Sequence, residues 1–133
     1  MPEYTQAQTE LQTLSKQYED ELKRMQDELQ AKNDDLEKNA ATLPDAVKQR
    51  REQEIQDLYQ RMQQYYQTSQ QDMQKAQQEK MALITQKVTS AIKEIGVAGG
   101  YVYEMDSTSG IPYISETLST DVTAQVKQKL GLK

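Results

Sequence analysis

Apolar residues recur along the first ninety-five positions at steps of three and four, the period of an amphipathic α-helix. In the first stretch they fall at Ala7, Leu11, Leu14, Tyr18, Leu22, Met25, Leu29 and Leu36. Leu11 and Leu22, Leu14, Met25 and Leu36, and Tyr18 and Leu29 are eleven apart. In the second stretch Met62, Met73, Ile84 and Ile95 repeat that interval, with Ile55, Leu58, Tyr59, Tyr65, Tyr66, Val88, Ala91 and Ile92 in the adjoining rows. An eleven-residue repeat places 3.67 residues in each turn, which favours nearly straight or slightly right-handed packing. Between Gln67 and Lys80 the stripe thins to Met73 and Ala76, so this stretch is expected to be weakly held.

One break interrupts the pattern, at 39–44. Asn39, Thr42 and Pro44 disfavour continuous helix, and Pro44 biases Leu43 away from the helical region. Thr42 with Asp45 reads as a cap for the second helix. Residues 1–95 therefore read as a long antiparallel helical hairpin with its tip near 39–44, its arms roughly 55 and 75 Å long at 1.5 Å per residue. Residues 4–40 pair with about 45–80 on this reading. The apolar base, 81–95, then enters a core. Gly96 is expected to end the second helix.

Past Gly96 the composition changes. Tyr101-Val102-Tyr103-Glu104-Met105 and Ile111-Pro112-Tyr113-Ile114-Ser115 predict two strands around the turn Asp106–Gly110. Pro112 limits the second strand to an edge. A short last helix opens at Thr120-Asp121-Val122-Thr123 and carries Val122, Val126 and Leu130 on one face. The expected fold class is mainly α with a small β part. Residues 1–95 form the hairpin, and residues 96–133 form a β-hairpin and C-terminal helix that serve as an association body. Two strands and a short helix do not stand alone in water, so this body needs the base of the long helix and copies from other chains.

The composition narrows the functional classes. Of 133 residues 35% are hydrophobic, with no Trp or Phe, and mean hydropathy is −0.95. Burial must come from a narrow seam, from association, or from both. The net charge of −5 is concentrated in residues 1–43, which carry ten acidic and five basic side chains. That acidic arm argues against nucleic acid as a partner, because phosphate contacts need clustered Lys and Arg. Without Cys or His the chain lacks thiol nucleophiles, the common zinc ligands and imidazole acid–base chemistry. The acidic runs Glu19-Asp20-Glu21, Asp27-Glu28 and Asp34-Asp35 lack calcium-loop spacing and read as solvated faces. No catalytic constellation, cofactor motif or metal site is visible, and an enzyme is not expected. No stretch is apolar enough to span a bilayer as a helix.

Long helix, break, longer helix, paired strands and short C-terminal helix resemble the Skp/OmpH family of periplasmic chaperones. The tail carries the closest match, in Gly100-Tyr101-Val102-Tyr103-Glu104, the Ile-Pro-Tyr-Ile run and Asp121-Val122-Thr123-Ala124-Gln125-Val126. The resemblance implies a periplasmic homotrimer that holds unfolded outer-membrane β-barrel proteins between helical arms without ATP or any cofactor. Family members begin with a short strand before the first long helix. Here Met1-Pro2-Glu3-Tyr4 already reads as helix, so that strand and any signal peptide are expected to be missing from this sequence. The best-known members are basic, whereas this first arm is acidic, so no anionic-lipid site is carried over.

Tyr and Met provide adaptable contact surfaces. Tyr18, Met25, Tyr59, Tyr65 and Tyr66 are candidate client contacts, and the competing reading places them in the seam between the arms. Tyr65 and Tyr66 are adjacent, so one of them faces elsewhere. Met62 and Met73, on the eleven-residue row, read as seam. Lys48-Gln49-Arg50-Arg51 reads as a solvated face neutralised by Glu52 and Glu54. Candidate subunit contacts are Tyr101, Val102, Tyr103, Ile111, Tyr113, Ile114, Val122, Val126 and Leu130. The alternative function is a structural coiled-coil spacer or adaptor with a C-terminal docking module.

Overall fold

The computed structural model describes residues 1–132. Its elements are α1 (Pro2–Asn39), α2 (Asp45–Gly99) and α3 (Thr123–Lys129). Pro2 sits in the first turn of α1, where a missing N–H costs nothing, and Glu3 lies beside the positive end of the helix. The chain divides into two compact units, one of residues Gln8–Gln78 and one of Met1–Ala7 with residues from Glu79 onward.

The break is built around the Asn39 carbonyl. It accepts the Thr42 and Leu43 amides at 3.0 and 3.1 Å and the Thr42 hydroxyl at 3.0 Å. The Asn39 side-chain amide reaches back to the Asp35 carbonyl at 2.9 Å. Thr42 thus closes α1 and does not cap α2 as its spacing suggests. The Pro44 carbonyl takes the first helical bonds of α2, from Val47 and Lys48, both at 3.0 Å.

Within the unit Gln8–Gln78 the two helices run antiparallel. Tyr18 meets Tyr65 and Asp72, Lys32 meets Glu54, and Asp35 meets Arg51. Along α2 the sheltered positions include Arg51, Ile55, Leu58, Met62, Tyr65, Ser69, Met73 and Ala76, with Leu58 and Ser69 buried. Met62 and Met73 occupy one eleven-residue row of this seam, and Leu58 and Ser69 a second. In the thin stretch the seam is maintained by a small hydroxyl residue where an apolar one would be expected.

In the other unit, Ala91 and Ile95 of α2 are buried together with Leu130, whereas Met81 and Leu83, in the same stretch 81–95, are exposed. The start of α1 is tied to α2 by an ion pair between Glu3 and Lys87. The first arm therefore accompanies the second past residue 80, the limit set by counting from the break. Hydrogen bonding from Lys87 holds the Glu3 carboxyl below its ordinary pKa.

Gly96 does not end α2. The helix continues to Gly99, and Gly100 takes the left-handed conformation at φ +66°. The Tyr101 amide then bonds to the Gly96 carbonyl at 3.0 Å and the Gly100 amide to the Val97 carbonyl at 3.3 Å, the paired bonds of a Schellman stop.

The expected small β part is not formed. Among the described residues there is no strand, and 101–105 and 111–115 do not pair. The reason is local competition. Tyr101 and Glu104 fold back onto Gly99 and Gly96 of α2. The Asp106 carboxylate accepts the Thr108 amide and hydroxyl at 2.8 and 2.7 Å, and the Ser115 hydroxyl accepts the Leu118 amide at 3.2 Å. Such side-chain turns offer the backbone an alternative to a ladder. Pro112 contributes no donor, and a lone two-stranded ribbon has little stability to set against these bonds. The chain is helical with an irregular connector between α2 and α3.

The last helix starts at Thr123, with the Asp121 carboxylate accepting its amide at 2.8 Å. The Thr123 side-chain hydrogen bond, with this amide bond second, lowers the Asp121 pKa. An ion pair from Lys129 to Glu94 at 2.5 Å fixes α3 against α2.

Candidate functional site

Within the unit Gln8–Gln78 the candidate residues separate into two groups. Tyr18 and Tyr65 face one another across the seam, their ring centroids 6.0 Å apart and nearly perpendicular at 71°. This edge-to-face arrangement suits the ring quadrupoles. The Tyr18 hydroxyl donates to the Asp72 carboxylate at 3.4 Å. Tyr65, Ser69 and Asp72 share one helical face, so Tyr18 lies over the turn that contains Ser69, whose exposure is only 2%. Partial burial raises the Tyr18 pKa, and the neighbouring Asp72 charge raises it further. Met25 is half-buried in the same seam.

Tyr59 and Tyr66 lie on the outside. They are 48% and 53% exposed and seven residues apart, two helical turns along one face. Of the adjacent pair, Tyr65 turns in and Tyr66 turns out. An exposed tyrosine presents a rigid apolar ring and a polar tip, which gives a flexible polypeptide contact area without demanding a particular sequence.

Near the break three basic side chains share two carboxylates. Arg51 pairs with Asp35, and Glu54 receives both Lys32 at 3.6 Å and Arg50 at 3.4 Å. They line a shallow polar cavity with Ile55. Two of the basic side chains of the run 48–51 are thus spent on intramolecular partners. Among the described residues this cluster pairs no nucleophile with a base.

In the other unit the tail candidates also divide. Val102, Tyr103 and Tyr113 stand out into solvent, each about four-fifths exposed or more, and Ile114 is partly so. Tyr101 is at the edge of exposure, covering Gly99. Ile111, Val122 and Val126 are half-buried, and Leu130 is buried within the chain itself. Leu118 and Val97 are strongly exposed and were not apparent as contact candidates from the sequence, and Met105, which follows Tyr101 and Tyr103 in alternation, is strongly exposed as well. Leu83 and Met81, in the stretch of α2 expected to enter a core, are exposed too. Val97 was hidden because the helix was expected to stop one residue before it. Leu118 carries no periodic signal in a segment without regular structure.

Among the described residues no group of three His, Cys, Asp or Glu side chains is arranged to hold a metal ion, and no helix is long and apolar enough to cross a membrane. What the two units offer is apolar contact area, on tyrosines of α2 and on the connector.

A search among curated proteins finds no match. A family model described as outer membrane protein (OmpH-like) matches residues 1–130. Members of that family are periplasmic chaperones of outer-membrane proteins. The match spans both long helices, the connector and α3, and the chain belongs to the OmpH-like family of outer membrane proteins.

Proposed function

We propose that this protein is an ATP-independent periplasmic holdase that keeps unfolded outer-membrane β-barrel proteins from aggregating. The family match over residues 1–130 carries the proposal. The exposed pair Tyr59 and Tyr66 supplies a physical means for it. Each tyrosine contact with an unfolded chain is weak, and several arms acting together raise the effective concentration enough to retain it. Release needs no nucleotide, because no single contact is strong.

Several arms require several chains. In this reading the protein works as a homotrimer, joined through the tail, where Val102, Tyr103, Tyr113 and Ile114 present apolar area to water. Patches of this kind on a small unit mark a contact surface.

Sedimentation velocity with an unfolded outer-membrane β-barrel protein diluted from urea tests the proposal. A discrete complex of three chains with one client, formed without nucleotide, is the expected result. A client that sediments alone or as aggregate, with the protein unchanged, would overturn it.

A further inference from the structure

Between Gln56 and Gln78 the charge on α2 is confined to one edge. Asp57, Arg61, Asp72 and Lys75 are the charged residues of that stretch, and their spacings of four, eleven and three keep them on a single line of the helix. Tyr59 and Tyr66 stand away from that line. The residues three and four positions from Tyr59 are Ile55, Gln56, Met62 and Gln63, and those around Tyr66 are Met62, Gln63, Ser69 and Gln70. Along the helix no charge borders either ring. Gln56, Gln63, Gln70 and Gln77 recur every seven residues on the same flank, and all four are exposed. Elsewhere Gln30 and Gln53 donate to the carboxylates of Asp34 and Asp57 at 2.7 and 2.8 Å. Among the described residues no side chain takes up the four amides of the flank in this way.

A helix face that serves solubility alone ordinarily carries charge, as the opposite edge of α2 does. This flank carries none from Gln56 to Gln77, about 32 Å at 1.5 Å per residue. A strand that crosses a membrane has about 9–11 residues and is roughly 30–36 Å long when extended. Its membrane-facing band is apolar and aromatic. An unfolded chain also exposes backbone N–H and C=O groups, and a glutamine amide both donates and accepts. A charge placed against such a segment would lose water without gaining a partner.

We propose that the flank of α2 from Gln56 to Gln77 is a charge-free docking stripe for one strand-length segment of an unfolded β-barrel protein, whose apolar side chains meet Tyr59 and Tyr66 and whose backbone meets the glutamine amides. The occupant rests on the holdase reading above; the neutrality of the stripe does not. The match is one of length and of missing charge, so recognition through the stripe is independent of long-range attraction.

Two pairs of substitutions separate the stripe from the arm as a whole. Gln63→Glu with Gln70→Glu puts two charges beside Tyr66. Gln64→Glu with Gln71→Glu adds the same two charges one position further along, turned away from the rings and within reach of Arg61 and Lys75. All four positions are exposed, and circular dichroism checks that both variants keep their helices. Fluorescence anisotropy of a labelled outer-membrane β-barrel protein, diluted from urea at about 25 and 300 mM NaCl, reads client affinity. The expected result is a wild-type Kd that changes less than about twofold with salt. The 63/70 pair should weaken binding at least about fivefold and the 64/71 pair less than about twofold. Equal losses in both pairs, or no loss in the 63/70 pair, would overturn the stripe. Wild-type affinity that falls steeply with salt would overturn charge-free recognition. A changed sedimentation coefficient of the free 63/70 variant, with client affinity intact, would make a second copy of the chain the occupant and overturn the stripe as a client site. Wild-type protein that binds no client at either salt concentration would overturn the holdase reading and the stripe with it.

Discussion

The Tyr18 hydroxyl reaches the Asp72 carboxylate at 3.4 Å across the seam, from a ring whose edge meets Tyr65. The contact bridges α1 and α2 where the apolar stripe of α2 is thinnest. Burial and the Asp72 charge hold the Tyr18 pKa above its ordinary 10.0. The folded chain therefore keeps this proton more tightly than the unfolded chain does. The stability linked to it is complete below the ordinary value and is lost as pH rises through the folded one. Urea midpoints measured at pH 8 and above pH 10 should fall more for the wild type than for Tyr18→Phe. Equal falls would remove Tyr18 from the account of the seam.

Leu58 and Ser69 are both 2% exposed and stand eleven apart on one row of α2. Leu58→Ala should cost about 2 kcal/mol, near the low end for a buried leucine, because a seam between two helices relaxes easily into the space. Ser69→Leu should also destabilise, by about 1–3 kcal/mol, since Tyr18 already covers that turn. Urea denaturation followed at 222 nm measures both.

Tyr65 and Tyr66 offer a direct separation of structure from function. Tyr65→Ser should lower the urea midpoint, because it removes the ring that Tyr18 packs against. Tyr66→Ser, at a half-exposed position, should shift stability by no more than about 0.5 kcal/mol. Combined with Tyr59→Ser it should nonetheless weaken retention of an unfolded client several-fold. Fluorescence anisotropy of a labelled client in both variants checks the pair.

The tail has its own acid sensitivity. The Thr123 contacts lower the Asp121 pKa, and the Thr108 contacts lower that of Asp106. Each contribution is present above the ordinary carboxylate value and is lost as pH falls through the folded one. The Thr123 and Thr108 amide resonances should therefore shift together with acidification below pH 3.8, the ordinary value. Asp121→Ala should abolish the Thr123 shift while leaving that of Thr108.

Much of the helical framework was legible in the chain. Leucine and methionine spacing, helix-forming residues between them and Pro44 were enough to locate both long helices and the break. The row through Leu58 and Ser69 was not, because a serine gives no apolar signal, and its hydroxyl is buried by donating to the Tyr66 carbonyl at 2.8 Å. The β expectation failed for a related reason. Tyr, Val and Ile favour a strand only when a partner completes the ladder, whereas Asp106, Ser115 and the glycines of α2 satisfy the same segments locally. The family was readable from the tail because residue order survives where regular structure does not. Glu104 on Gly96 joins a connector to a helix end and leaves no trace in any periodicity.

The central claim is that this chain protects unfolded outer-membrane proteins without nucleotide. Light scattering at 350 nm tests it most directly, with an unfolded β-barrel protein diluted from urea into buffer that contains a stoichiometric amount of the protein and no ATP. The account predicts that scattering is suppressed and stays suppressed for as long as the client remains bound. Scattering as strong as that of the client alone would contradict it.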